Sequence, residues 1–443
     1  AAEPWVGYVD WIPEHGGRLI DVIAGSTPTL REIGLFRDPT DPEQRRRILH
    51  FAEYNPVEYQ RRAKLRLAAD RAAGMRALLL TLDWPPVMRE LVAAARAVGL
   101  PTVLVPHESV FAFSDLYYLH GRTEIDAPLS DWTLCWGDLQ RDIFLERGYP
   151  ADRLIKVGSP KLDADALYRP RLSSEAFRAL HGAGEGERIV LFAVQTMDNF
   201  GNARTAREAQ AQAVADAVDY CEARAHRLVV RPPPSRAQVF PEPLIERLRA
   251  SPAVSMADWE AYRTSPEEAM AHADLVMSIG STMLFEAALM GKASLGLRHV
   301  AFDSIWDRAG IPSAATAAEL CAEADRLLDG GGGLPEEGMA WAIRSFSDGV
   351  HGFDGGSLGR IRERLAAAMA DPPPPLALDL AIRGRADAAA ARVLAVSGGL
   401  GRLAPADRLA RALGARRIFP AADGWSVAAA AACVRLPGET DRR

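Results

Sequence analysis

The residues best suited to chemistry gather where short apolar runs end. Val194-Gln195-Thr-Met-Asp198-Asn-Phe-Gly-Asn202 sets a carboxylate beside amide side chains directly after a strand-like run. That placement suits Asp198 to nucleophilic or general-base work, and an Asx turn or a helix cap would use the same aspartate. Val105-Pro-His107-Glu108-Ser109 also follows an apolar run. His107 and Glu108 there could form an acid/base pair, or a loop carboxylate beside a structural histidine. Asp83 in Leu82-Asp83-Trp84-Pro85 and Asp10 in Val9-Asp10-Trp11 are similar strand-end acids.

Hydroxyl and glycine residues concentrate in Met277-Ser278-Ile-Gly280-Ser281-Thr282-Met-Leu-Phe-Glu286, where a strand gives way to a helix. Such a turn aims backbone N–H groups and the positive end of a helix dipole at an anion, while Ser281 and Thr282 offer capping hydroxyls. Glu286, one turn into the helix, suits the hydroxyls of a ribose diol; an ordinary strand-to-helix connection would read the same way. The stretch lacks the lysine and spacing of a P-loop. Arg231, in Val229-Val-Arg231-Pro-Pro-Pro-Ser235, ends a strand on the side of a parallel sheet where ligands bind. It could grip a phosphate or carboxylate as a fork, or be a surface arginine before a stiff loop. The D-x-D pair Asp163-Ala-Asp165 follows Gly158-Ser159-Pro160-Lys161 and reads as the acidic opening turn of a helix. No His-x-x-x-His spacing accompanies it, so no metal site is expected.

These positions need a scaffold, and the apolar pattern supplies one. Runs at 76–82, 101–105, 132–136 and 154–157 alternate with helical spacing at 88–98 and 138–147. On the 88–98 stretch, Met88, Leu91, Val92, Ala95 and Val98 share one face, and Gly99-Leu-Pro101 stops the helix. A second series begins with Arg188–Val194 and continues through a helix over 204–225, a strand at 227–231 and another at 274–278. That rhythm is βαβ, so the chain is expected to be α/β with two domains over 1–182 and 183–370. Pro372–Pro375 then introduces an Ala/Arg-rich extension over 371–443, read as an accessory tail of Ala-rich helices or a linker.

Composition narrows the function classes. The 443 residues carry 52 Lys+Arg against 58 Asp+Glu, a formal net charge of -6, which offers no general footprint for nucleic acid. The 4 cysteines are dispersed without a C-x-x-C pair, so neither a zinc knuckle nor a disulfide framework is expected, and a cytoplasmic, reducing compartment fits. Apolar runs are far shorter than the ~20 residues that span a bilayer. Arg-rich stretches such as Gln44–Arg47 leave room for peripheral association at the inner face of the cytoplasmic membrane, although such clusters more often form a solvated helix face. The first residue is Ala1 and no signal-peptide pattern follows, as expected of a piece of a longer, multidomain polypeptide.

Two signatures carry a family resemblance. Trp136-Gly-Asp-Leu-Gln-Arg-Asp-Ile-Phe-Leu-Glu-Arg-Gly148-Tyr-Pro, followed by Lys156-Val-Gly158-Ser159-Pro160-Lys161-Leu-Asp163, resembles the W-G…G…v-G-s-P-x-x-D pattern of the GT-B glycosyltransferases of surface-polysaccharide assembly. The pattern recurs in capsule synthases, polyol-phosphate transferases and relatives of the sugar 2-epimerases. His107-Glu108-Ser109 and Gln195-x-x-Asp198 are most similar to elements of the retaining β-Kdo transferases, which use CMP-Kdo. The resemblance covers roughly residues 70–365 and is specific for the superfamily rather than for the donor.

The resemblance implies a GT-B fold, two Rossmann-like domains facing across a cleft. Asp198 would be the nucleophile that forms a covalent sugar adduct, Glu108 with His107 would assist proton transfer at the acceptor, and Gln195, Arg231, Ser278, Gly280, Ser281, Thr282 and Glu286 would hold the donor. Ser159 and Lys161 of the second signature, and Asp354 in the closing Asp354-Gly-Gly element, complete the set; Asp354 would cap the following helix or touch the donor. Pro233-Pro234 stands where the wider group carries His-Pro after the arginine, so a phosphate-contacting histidine is missing there. The implied partners are a nucleotide sugar and a glycan or glycolipid acceptor, with no resident cofactor or metal. A CDP-polyol phosphotransferase, a UDP-sugar 2-epimerase and a non-catalytic binding domain remain open on the same fold.

Overall fold

The computed structural model describes residues 3–9, 19–21, 23–25, 28–33, 42–107, 127–146, 148–197, 203–233, 240–300, 304–376, 417–421, 424–429 and 432–436. It divides into two compact units, residues 1–158 with 357–443, and residues 159–356.

In the first unit, strands β1 (Trp5–Tyr8), β2 (Leu30–Glu32), β3 (Met75–Leu80), β4 (Thr102–Leu104), β5 (Trp132–Cys135) and β6 (Leu154–Lys156) form a parallel sheet in the order β2-β1-β3-β4-β5-β6. Helices α1 (Pro42–Tyr54), α2 (Pro56–Ala72), α3 (Pro86–Ala97) and α4 (Asp138–Glu146) connect them. A continuous apolar run such as Ala77-Leu-Leu-Leu80 is what a strand needs when both its faces are covered. Leu78 and Leu80 pack with Met88, Leu91, Val92 and Ala95 of α3 on one face. Ala77 and Leu79 point the other way and pack with Val6, Val103 and Leu134. Proline in the first turn starts α3, and Gly99, with φ +68, turns the chain out of it.

The second unit opens with α5 (Pro160–Ala166) and α6 (Ser174–His181). Its sheet comprises β7 (Ile189–Ala193), β8 (Arg227–Arg231), β9 (Val254–Ser255), β10 (Leu275–Ser278), β11 (Ala293–Leu297) and β12 (Ser313–Ala314), all parallel, in the order β12-β11-β10-β7-β8-β9. Around it lie α7 (Ala203–Arg224), α8 (Glu242–Ala250), α9 (Ala257–Ala261), α10 (Pro266–His272), α11 (Met283–Leu289), α12 (Ala317–Gly330) and α13 (Glu336–Phe346). The chain then returns to the first unit as α14 (Ser357–Ala370), whose Ile361, Leu365 and Ala368 cover the second face of the first sheet beside Ala77 and Leu79.

These divisions fall at 158/159 and 356/357, whereas the apolar rhythm put them near 182 and 370. The reason is long-range bonding. Ser159 N–H donates to Phe346 O at 3.2 Å, and Glu268 accepts from the backbone N–H of Arg171 and Leu172 and from the Tyr168 hydroxyl. Both contacts tie 159–172 to the second unit. The polyproline stretch is docked as well: Arg153 donates to Pro374 O at 2.7 Å, Leu376 N–H donates to Asp131 Oδ1 at 2.9 Å, and the Leu376 side chain is buried in the first core.

Part of the tail departs from the expected Ala-rich helices. β13 (Arg417–Ala421), β14 (Gly424–Ala429) and β15 (Ala432–Leu436) form an antiparallel three-stranded sheet. Ile418, Phe419, Trp425, Val427 and Val434 give these segments the β-branched and aromatic content that favours strands.

Candidate active site

Of the acid/base and nucleophile candidates, Asp198, Glu108 and Asp10 lie outside the described residues. His107 belongs to the first unit, just beyond β4. Its backbone N–H donates to Thr81 O at 3.2 Å, and its ring Nδ1 lies 3.0 Å from the same carbonyl. A carbonyl oxygen only accepts, so this contact places a proton on Nδ1. Asp83 is fully buried and accepts from Leu129 N–H, Ser130 N–H and Ser130 Oγ at 2.8–2.9 Å. It anchors the chain entering β5 and is structural. Trp136 and Gln140 of the W-G signature are also braces: Trp136 Nε1 donates to Pro106 O, and its backbone N–H to Gln140 Oε1.

The donor candidates of the second unit come together at the carboxyl ends of β7 and β10. Ser278 Oγ donates to Ala193 O at 2.7 Å, linking the two strand ends, and accepts from Ser281 N–H at 3.3 Å. Gly280 N–H donates to Gln195 Oε1 at 3.2 Å. Gln195 is held in turn by the buried Gln210 of α7, which accepts from its N–H at 3.0 Å and donates to its carbonyl at 2.9 Å. On the far side of the turn, Trp306 Nε1 donates to Gly280 O, and Trp306 stacks on Phe285 at 5.0 Å between centroids. Gln195, Ser278, Gly280 and Ser281 are therefore one bonded constellation.

Its geometry differs from the open anion nest expected of the turn. The N–H groups of Gly280 and Ser281 are spent on Gln195 and Ser278, and that of Met283 on Ser281 Oγ at 3.3 Å. Thr282 is already helical (φ -57, ψ -25), and its hydroxyl caps nothing, so only one of the two expected capping hydroxyls accepts a helix N–H.

Glu286 is 2% exposed and lies 2.5 Å from Lys161 Nζ of α5, across 125 positions of sequence. The Lys161 side chain is 45% exposed, and the nearby acids Glu286, Asp165 and Glu267 raise its pKa above the usual lysine value. Sequence spacing did not reveal this pairing, although Lys161 stands directly after Gly158-Ser159-Pro160 of the second signature. Ser159 is buried and caps α5 by accepting from Leu162 N–H, with Asp163 in the first turn as a helix opening requires. Asp354 Oδ1 accepts from Gly356 N–H at 2.8 Å in an Asx turn just before α14.

Arg231 does not join the constellation. It is buried, its Nη1 donates to Asp258 Oδ2 and Thr264 O, both at 2.8 Å, and its guanidinium lies 5.6 Å from the Tyr262 ring centroid. Asp258 also accepts from Thr264 N–H and Oγ1. The arginine expected at a ligand phosphate instead fastens α9 and the following loop to the end of β8. Among the described residues, no cluster of three or more His, Cys, Asp or Glu is arranged to hold a metal, and no helix is long and apolar enough to cross a membrane.

No family profile and no curated protein sequence matches the chain. Solved structures do. A candidate UDP-N-acetylglucosamine 2-epimerase from Listeria monocytogenes is 14% identical, with a TM-score of 0.55 over 85% of this chain and 100% of that one. The UDP-GlcNAc 2-epimerase from Neisseria meningitidis, solved with UDP-GlcNAc, is 11% identical with a TM-score of 0.51 over 82% and 98%. The S. aureus MnaA–UDP structure is 13% identical with a TM-score of 0.51 over 82% and 96%. With two six-stranded parallel sheets, each flanked by helices, the chain has the two-domain α/β fold of these structures, the GT-B class.

Proposed function

We propose that the protein is a GT-B enzyme that takes a sugar from a nucleotide donor and transfers it to a glycan or glycolipid acceptor in bacterial surface-polysaccharide assembly. The observation that carries this reading is the bonded constellation Gln195–Ser278–Gly280–Ser281 with the buried acid Glu286 one turn further on, at the carboxyl edge of a parallel sheet. In this proposal Glu286, steadied by Lys161, accepts the donor's ribose hydroxyls, and the Ser281 and Thr282 hydroxyls meet its phosphate. Arg231 supports the subsite from behind.

The donor proposed is CMP-Kdo, on the similarity of His107-Glu108-Ser109 and Gln195-x-x-Asp198 to the β-Kdo transferases. The Asp198 carboxylate attacks the anomeric carbon, and CMP leaves with the bonding electron pair. The acceptor oxygen then displaces the aspartate as Glu108, aided by His107, takes the hydroxyl proton. Two inversions give retention, the logic of retaining glycosidases. A single phosphate leaving group makes modest electrostatic demands, so the reaction is proposed to need no metal and to survive chelation by EDTA. The proposed site of action is the cytoplasmic face of the membrane.

A second reading, a UDP-sugar 2-epimerase, is favoured by the fold shared with structures solved with UDP-GlcNAc and UDP. Thermal shift with CMP, CDP and UDP separates the two, because a ligand that binds only the folded state raises its melting temperature. A CMP preference, with a CMP-Kdo-dependent mass adduct lost in Asp198→Ala, is expected. A UDP preference overturns the Kdo assignment in favour of the epimerase, and full transfer by Asp198→Ala sinks the covalent route.

A further inference from the structure

We infer that the α1–α2 helix pair of the first unit is a docking face for an anionic phospholipid surface. The inference goes beyond the donor assignment and does not rest on it. On α2, Tyr59, Ala63 and Leu67 recur at the i, i+4, i+8 spacing of one face and are buried in the first core. The opposite face would ordinarily be polar throughout. Instead it carries Val57, 80% exposed, and Leu65, 62% exposed, on the same crest as Arg61 and Lys64. Two of the five large apolar side chains exposed among the described residues thus sit on one 17-residue helix.

Charge identifies the occupant. Across residues 42–73, Lys and Arg outnumber Asp and Glu by eight to four, in a chain whose overall charge is -6. Arg61 and Arg62 share the single carboxylate of Glu58, which is held down at about 2, so the pair keeps an excess positive charge at its surface. A nucleic-acid backbone would meet the cations but has nothing for exposed valine and leucine. A bilayer interface serves both: lipid phosphates meet the arginines, and the headgroup–acyl boundary takes the apolar side chains.

The test is co-sedimentation of the full chain with vesicles of phosphatidylcholine alone or with roughly a third phosphatidylglycerol, at low salt and at ~0.5 M salt. Binding to the anionic vesicles only, lost at high salt, is expected. The triple variant Arg61→Ala/Arg62→Ala/Lys64→Ala should lower the partition coefficient about a hundredfold. Leu65→Asp should also weaken it, with the far-UV spectrum, melting and nucleotide-induced shift of both variants unchanged. Equal binding to neutral vesicles, no vesicle binding, partition unmoved by either variant, or retention on single-stranded RNA without vesicle binding would each overturn the inference.

Discussion

Arg231 offers the sharpest check of how the second unit is built. If it braces α9, Arg231→Ala must destabilise the protein; if it grips a donor phosphate, the same change must mainly weaken ligand binding. The arginine and Asp258 are 8% and 0% exposed at their side chains and 2.8 Å apart. Removing one partner leaves Asp258 with only the two donors of Thr264 to satisfy a buried charge. Breaking a buried pair in this way costs about 3 kcal/mol or more. In a unit of roughly 200 residues that corresponds to a drop in melting temperature of about 6–12 °C. Differential scanning calorimetry of Arg231→Ala, Asp258→Asn and the double variant reads the effect directly. The double variant should be less destabilised than the sum of the singles, because no lone charge remains. A melting temperature within about a degree of the parent, together with a large loss of nucleotide affinity, would refute the bracing role.

Two further predictions concern the second unit. Ser278→Ala removes the hydroxyl that joins the ends of β7 and β10 and accepts Ser281 N–H. It is expected to cost about 1–2 kcal/mol in urea denaturation and to weaken the nucleotide-induced thermal shift, whereas an unchanged shift would separate the turn from the ligand subsite. Burial alone would raise the pKa of Glu268, but the Tyr168 hydroxyl, the N–H groups of Leu172 and Arg171, and His272 lower it below the usual glutamate value. A carboxylate depressed on folding contributes stability above its unfolded pKa and loses it as pH falls through the folded one. Glu268→Gln should therefore be less stable at pH 7 by about 2 kcal/mol, with the gap closing under acid; a constant gap across that range would show that the charge is not responsible.

The alternating units of the fold were legible in the sequence because they rest on local periodicity. The expected strand at 76–82, helix at 88–98 and strand at 227–231 correspond to β3, α3 and β8, and Gly99 stops α3 where its pattern ends. The positions of the candidates at strand ends were equally legible, since a strand end is a feature of the chain itself. Which partner each polar group takes was not. Arg231 turns to Asp258 rather than outward, Glu286 meets a lysine 125 residues away, and Gln195 is gripped by Gln210 from a neighbouring helix. The ends of the units follow the same rule: Glu268 of α10 draws 168–172 to the second unit, and α14 crosses back to cover the first sheet. A buried charge or amide must find a partner once water is withdrawn, and packing of distant segments, not spacing along the chain, determines which partner is within reach.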